Sequence, residues 1–205
     1  MERDDIPLND PTPKLAPTAR RILDAAQRVL VRDGFRALTF EAIAGEAGEN
    51  PALIRYHFGS KAGLISALVD AVLFFEAVEL IQTLSAAPAG RTRREALFRL
   101  HRKMARDRES YTAYYELIPH VLRDRELRPK LRALMEWYRR LDAWALSGHA
   151  DEQEMAALEP LSSLTVAVLD GLALQVEADP EFDLEPVFRL WEGLVLDYLR
   201  DAAPA

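Results

Sequence analysis

The sequence contains no cysteine among its 205 residues, so disulfide bonds and metal sites with thiolate ligands are excluded. This composition fits a reducing cytoplasm. The four histidines lie far apart, without the close spacing that a metal site requires. An HExxH zinc motif, a glycine-rich phosphate loop and a GxSxG nucleophile motif are also missing. The sequence therefore argues against an enzyme, and it indicates no cofactor and no metal.

Long uncharged stretches are missing as well. No run of 18 residues is free of charge, which argues against a segment that spans a membrane. Residues 2–17 are polar and rich in proline and lack the apolar stretch of a signal peptide, so residues 1–16 are predicted to form a flexible N-terminal arm. No alternation typical of strands stands out, whereas apolar residues recur at helical spacing. The sequence predicts an all-α fold.

Residues 39–61, TFEAIAGEAGENPALIRYHFGSK, predict two short helices that are joined by a tight turn and followed by a third helix. Thr39, Asn50 and Ser60 can each cap a helix N-terminus with a side-chain oxygen. Gly48 can end the first helix in the left-handed conformation, and a proline suits the first position of the second. This is the pattern of a helix-turn-helix, whose second helix enters the major groove of DNA.

The second short helix carries side chains suited to DNA. Arg55 is the candidate for a base-edge contact, for example with both acceptors of a guanine. Pro51 and Ala52 could add apolar contact to a thymine methyl. Each candidate also has an ordinary structural role, as a helix cap, a surface aromatic or a solvated charge. The residues predicted to contact DNA are Thr39, Asn50, Pro51, Ala52, Arg55, Tyr56, His57 and Lys61.

The N-terminal third of the chain resembles the DNA-binding domain of the TetR family of bacterial transcriptional regulators. The resemblance rests on the first helix at residues 18–33, on the helix-turn-helix, and on the signature YHFGSK at residues 56–61. It implies a three-helix DNA-binding domain over residues 17–61, in which the tyrosine, histidine and lysine of the signature touch phosphate. Residues 62–205 would form a helical domain for effector binding and dimerisation. Four positions depart from the family pattern: Glu49, Asn50, Ala52 and Arg55.

The charge distribution supports this division. The whole chain carries a net charge of −7, which by itself is unfavourable for binding nucleic acid. Between residues 14 and 61, however, basic residues outnumber acidic ones by eight to five, so this segment carries +3 and the remainder −10. The positive end would face phosphate while the acidic body faces solvent.

One helix near the C-terminus is unusually apolar. Residues 161–176 have Asp170 as their one charge, so this helix must be covered on more than one side. Together with residues 184–200 it is interpreted as a dimer face that joins its copy in a four-helix bundle, a placement that the family resemblance also implies. Burial inside one monomer is the alternative. The predicted interface residues are Leu161, Leu164, Val168, Leu172, Phe188, Trp191 and Val195.

The middle of the chain holds aromatic residues that a small-molecule pocket would use. Tyr111, Tyr115 and Trp137 are the candidates, although an aromatic stripe at helical spacing is also typical of ordinary core. The resemblance implies an effector pocket here without identifying its occupant. A fourth helix, predicted from Lys61 to Leu84, would link this pocket to the helix-turn-helix. Further helices are predicted over residues 93–108, 111–123, 127–146, 158–178 and 184–200.

These observations predict a one-component regulator resembling the TetR family. In this prediction a homodimer represses transcription by binding a near-palindromic operator in double-stranded DNA, and a small-molecule effector releases it. The alternative is a helical protein-binding adaptor that has lost operator binding. The chain is expected in the cytoplasm, without a membrane partner.

Overall fold

The computed structural model describes residues 14–74, 77–147 and 152–201. Within these ranges the chain forms α-helices and one short 3-10 helix, and no strand, so the prediction of an all-α fold is confirmed. The first 13 residues of the predicted N-terminal arm lie outside the described residues, as do residues 148–151, which fall between two predicted helices.

The described helices follow one another along the chain with short connections. They are α1 (Pro17–Asp33), α2 (Phe40–Ala47), α3 (Pro51–Phe58), α4 (Lys61–Leu73), α5 (Ala77–Ala86), α6 (Arg91–Met104), α7 (Arg108–Arg123), α8 (Arg128–Leu146), α9 (Glu152–Ala157), α10 (Glu159–Ala178) and α11 (Leu184–Asp201). The 3-10 helix, Phe35–Ala37, lies between α1 and α2. The short helix α9 was not predicted from the sequence.

The prediction of a single helix from Lys61 to Leu84 is wrong in its length, because the structure divides this segment between α4 and α5. Helix α4 ends at Leu73, and Phe74 leaves the helical region with φ −114° and ψ 24°. The N–H of Ala77 donates to the carbonyl of Phe74 at 3.1 Å, which is the tighter bond of a 3-10 turn. Sequence patterns mark helix ends mainly through glycine and proline, and neither residue occurs at this interruption.

The described chain divides into two compact units. The N-terminal unit comprises the described residues up to Val78 together with Glu109–Glu136, and the C-terminal unit comprises Glu79–Arg108 and the described residues from Trp137 onward. The division predicted from the sequence at residue 61 remains a prediction about function, since these units are defined by packing.

In the N-terminal unit, α1 packs against α2, α3 and α4. Ile43 of α2, Ile54 of α3 and Leu64 of α4 are fully buried. Burying a side chain of this size stabilises the fold by roughly 1.5–3 kcal/mol. One large apolar residue from each short helix therefore fixes the helix-turn-helix on α1.

The core of the C-terminal unit is aromatic. Phe98 of α6, Trp144 of α8 and Phe188 of α11 are fully buried. The ring of Trp191 meets those of Phe98 and Phe188 edge to face, at 5.3 and 4.8 Å between centroids. These contacts bring α6 and α11 together by the arrangement that aromatic quadrupoles favour.

By length and composition alone, α10 could cross a membrane. One such helix is weak evidence for a membrane span, since the core helix of a soluble protein can have the same length and composition. Its buried residues include Leu161, Leu169 and Leu172, which are covered by the chain itself.

Candidate nucleic-acid interface

Three side-chain caps define the starts of α2, α3 and α4. The hydroxyl oxygen of Thr39 accepts a hydrogen bond from the N–H of Ala42 at 3.1 Å, and the Oδ1 of Asn50 accepts one from Ala52 at 2.8 Å. The hydroxyl of Ser60 accepts one from Gly63 at 3.1 Å. Each bond satisfies an N–H that the helix itself leaves open. The caps predicted from the sequence are confirmed.

The turn between α2 and α3 depends on Gly48. Its φ of 66° and ψ of 31° place it in the left-handed region, as predicted. The N–H of Glu49 then donates to the carbonyl of Ala44 at 3.0 Å, which closes the end of α2. The turn therefore fixes the direction in which α3 leaves α2.

Gly63 determines how closely α4 follows α3, because a Cβ at this position would overlap the backbone carbonyl oxygen of Phe58. We expect Gly63→Ala to lower the free energy of unfolding by about 1–3 kcal/mol, since backbone must shift to make room. Gly45→Ala is the matched control: Gly45 is also helical, and a Cβ there would meet nothing within 4 Å. Urea denaturation of both variants tests this. If Gly63→Ala were as stable as Gly45→Ala, α4 would be able to shift away from the carbonyl of Phe58 without a loss in the free energy of unfolding.

The outward face of α3 carries three of the predicted contact residues. Ala52 and Arg55 are exposed, and the side chain of Tyr56 is 82% exposed. The ring of His57 meets that of Tyr56 edge to face, at 5.2 Å between centroids. An aromatic side chain with this exposure contributes little to a core, so its position fits a contact surface.

A notch of about 460 Å³ lies beside this face, where α2 and α4 begin. The guanidinium carbon of Arg55 is 5.7 Å from the ring centroid of Phe40. The notch adjoins the starts of two helices, so the positive ends of both helix dipoles would favour an anion there, while the carboxylate of Glu41 would oppose it. The residues lining the notch are Thr39, Phe40, Glu41, Arg55, Gly59, Ser60 and Lys61.

Acidic residues of the same segment neutralise part of its positive charge. Arg28 and Arg32 both donate to the carboxylate of Glu46 at 2.8 Å, and the bond from Arg28 lowers the pKa of Glu46 below its usual value. Arg21 donates to Glu49 at 2.6 Å, and the Glu49 side chain is only 18% exposed. Glu49, the acid that departs from the family pattern, is therefore compensated within the domain.

The structure brings the predicted contact residues to neighbouring positions. Thr39, Arg55 and Lys61 line the notch, whereas Asn50 caps α3. Pro51, Ala52, Tyr56 and His57 belong to α3 itself. Sequence reasoning missed Phe40 as a neighbour of Arg55, because the two residues belong to different helices.

A second cavity of about 800 Å³ in the N-terminal unit lies between the start of α4 and the end of α7. At its side the ring of His120 stacks on that of Phe35, with 3.7 Å between centroids and 12° between planes. Sequence patterns do not indicate this contact, since the two residues are far apart in the chain. It ties α7 to the segment that follows α1.

The three residues proposed for an effector pocket lie in different units. Tyr111 is buried on α7, and its ring lies 5.6 Å from that of Tyr115 in the N-terminal unit. Trp137 belongs to the C-terminal unit, where its ring meets that of Tyr138 edge to face at 5.0 Å. The assignment of these residues to a pocket stays a prediction.

Most residues predicted for a dimer interface are interior in the structure. Leu164 is 64% exposed and Val168 is half-buried. The remaining five lie inside the C-terminal unit and are covered by its own helices: Leu161, Leu172, Phe188, Trp191 and Val195. The helical pattern located the apolar stripes, but it could not tell which stripe the chain itself covers.

Other apolar residues of the same two helices remain exposed. On α11 they recur at helical spacing, and Leu190 and Leu194 are 64% and 62% exposed. The set comprises Leu164, Leu174, Val187, Leu190, Leu194 and Tyr198, which we call the α10/α11 face.

Comparison with known proteins places this geometry in a family. Residues 22–68 match the family described as bacterial regulatory proteins, tetR family. The chain is 30% identical over 189 residues to the HTH-type transcriptional regulator BetI of Rhizobium meliloti (strain 1021), covering 91% of this chain and 92% of that protein.

Solved structures share the fold. A putative transcriptional regulator from Pseudomonas aeruginosa PAO1 is 23% identical with a TM-score of 0.73, covering 93% of this chain and 94% of that chain. The multidrug binding protein EbrR, crystallised with imidazole, is 26% identical with a TM-score of 0.61, covering 97% and 100%. With its helix-turn-helix and its near full-length similarity to BetI, the chain belongs to the TetR family of bacterial transcriptional regulators.

Proposed function

We propose that this regulator is a dimeric repressor that binds a near-palindromic operator and leaves it when a small molecule binds. The observation that carries the proposal is the exposed face of α3 beside the notch at the starts of α2 and α4. That arrangement puts a base-reading helix next to a site suited to phosphate. The protein would act on DNA in the cytoplasm.

Each contact residue has a role in this proposal. Lys61 and the hydroxyl of Thr39 bind phosphate at the notch, and Tyr56 and His57 bind phosphate from the exposed side of α3. Arg55 reads a base edge. Asn50 holds the start of α3, and Pro51 and Ala52 offer apolar contact to a thymine methyl.

Dimerisation is supported by the α10/α11 face. Helices α10 and α11 contact each other, and each leaves large apolar side chains exposed. A second copy would cover these side chains and form a four-helix bundle. It would also hold two recognition helices about 34–36 Å apart, as successive major grooves require.

Release by an effector is supported by the imidazole complex of EbrR, a similar protein that holds a small molecule. Tyr111, Tyr115 and Trp137 remain our candidates for the pocket. The effector would favour a conformer with wrongly spaced recognition helices, and it can shift binding only by its differential affinity for the two states. Helix α4 and the stacked rings of His120 and Phe35 connect α7 with the helix-turn-helix. A change at α7 could reach the DNA-contacting residues through them.

The experiment that tests operator binding is selection of bound fragments from random duplex DNA, repeated at two salt concentrations. A dimeric operator reader should recover a near-palindrome, with an affinity that falls as salt rises. Recovery of fragments without any sequence preference would contradict the proposal and favour the protein-binding adaptor.

Neutralising Glu49 should strengthen binding to DNA. Glu49→Gln removes a negative charge and frees Arg21, so we expect affinity to rise about three- to tenfold and the salt dependence to steepen by about one released ion. The measurement is fluorescence anisotropy with labelled duplex over a salt series. Asp24→Asn is the control, since it removes an equal charge at an exposed position of α1. Equal effects in both variants would mean that Arg21 does not reach phosphate.

A further inference from the structure

We infer that Phe40 is a positioning residue for base readout, because its ring holds the Arg55 guanidinium in one orientation beside the notch. The inference rests on the proposed operator binding and adds to it a residue that does not itself need to touch DNA. Phe40 determines how Arg55 meets the base rather than how tightly the protein holds phosphate.

The geometry places the two side chains on different helices that meet at the notch. Phe40 is the first residue of α2, and its position is fixed by the cap that Thr39 forms with Ala42. Arg55 lies in α3, with its guanidinium carbon 5.7 Å from the centre of the Phe40 ring. This distance lies within the range of cation–π attraction. The contact therefore joins the reading helix to the helix that precedes it.

The type of contact matters as much as the distance. Arg21, Arg28 and Arg32 are each paired with a carboxylate, which accepts hydrogen bonds from some of their N–H donors. Among the described residues, Arg55 forms no ion pair, and Phe40 is its aromatic partner. A ring attracts the positive charge but accepts no conventional hydrogen bond. The planar fork of Arg55 thus keeps its donors for a base that accepts two hydrogen bonds.

Restricting Arg55 before DNA arrives has a consequence for specificity. A free arginine loses rotamer freedom when it binds a base, and a restrained one loses less. The restraint favours the base that fits the restrained position, whereas phosphate contacts elsewhere are unaffected. A cation–π contact at an exposed site corresponds to about a two- to fivefold effect on binding.

The test measures discrimination, not affinity alone. The operator is first selected from random duplex DNA with the full-length wild type, and the base pair read by Arg55 is identified as the one at which Arg55→Ala loses its preference. Phe40→Leu, which keeps an apolar side chain without a ring, should then reduce discrimination at that pair about two- to fivefold. Its affinity for unrelated DNA should not change. Phe40→Trp should restore discrimination.

Two further comparisons make the result specific. In an Arg55→Ala background, Phe40→Leu should cause no further loss of operator affinity, because the partner is gone. Tyr114→Leu removes a half-buried ring on α7 of the same unit and should leave discrimination intact. If Phe40→Leu does not fold, as judged by thermal melting, Phe40→Met serves in its place.

The outcomes separate this inference from the proposed function. A wild-type protein without sequence preference would overturn both, and this is known before any Phe40 variant is made. Preference in the wild type, with unchanged discrimination in Phe40→Leu, would overturn the role of Phe40 alone. A loss of operator affinity from Phe40→Leu that is equal in the presence and absence of Arg55 would also overturn it.

Discussion

Replacing both Leu190 and Leu194 with aspartate should produce a folded monomer that no longer holds its operator tightly. The two leucines are 64% and 62% exposed in the single chain, so their removal costs the monomer little packing. In the proposed four-helix bundle, four aspartates would lie buried near the two-fold axis, which is strongly unfavourable. Losing the second half-site contact should weaken operator binding by about a hundredfold or more.

Sedimentation equilibrium and operator titration measure the two effects on one sample. Leu122→Asp is the matched control, because Leu122 is a leucine of α7 that is 48% exposed and lies outside the α10/α11 face. The control should remain a dimer. A double variant that stays dimeric would show that the exposed stripe of α11 is not the interface. Substitutions at Leu172 or Trp191 could not decide this, since both side chains are interior and their loss would disturb folding.

Removing Asp142 should destabilise the C-terminal unit by about 1–3 kcal/mol, the loss expected when a buried polar group is left without its partner. The Oδ1 of Asp142 lies 3.2 Å from the Nε2 of His101, and the two side chains are 0% and 1% exposed. Asp142→Ala would leave a buried imidazole without its carboxylate. Because domains are stable by only about 5–15 kcal/mol, this loss would be a large share of the total.

A double-mutant cycle separates the pair from its parts. His101→Leu together with Asp142→Ala should be more stable than the sum of the single losses predicts, since no polar group is then left alone. Urea unfolding of the wild type, both single variants and the double variant supplies the four free energies. Strictly additive losses would mean that His101 and Asp142 contribute independently.

Much of the helix-turn-helix could be predicted from the sequence, because its signals involve residues that are close together in the chain. Thr39, Asn50 and Ser60 act within three residues of their own positions, and Gly48 requires only its own backbone conformation. Such signals depend on neighbours in the chain, so they survive without knowledge of the fold. The interruption after Leu73 carried no such signal.

Contacts between distant residues could not be predicted in this way. Leu161 and Leu164 belong to one apolar stripe, yet the first is buried and the second exposed. The difference depends on which helices of the same chain cover α10. The pairings of Phe40 with Arg55 and of Phe35 with His120 likewise require the packing of separate helices.

The ion pairs between arginines and acidic residues in the N-terminal unit also affect how the protein would search a chromosome. A cell offers a regulator millions of unrelated sites, and cations that contact phosphate hold it at all of them. Because Arg21, Arg28 and Arg32 are already bound to Glu49 and Glu46, fewer cations are available to contact phosphate at such sites. The time that the protein spends at each unrelated site would therefore be shorter. Short stays would release more molecules for the proposed operator, so that a small number of copies per cell could keep it occupied.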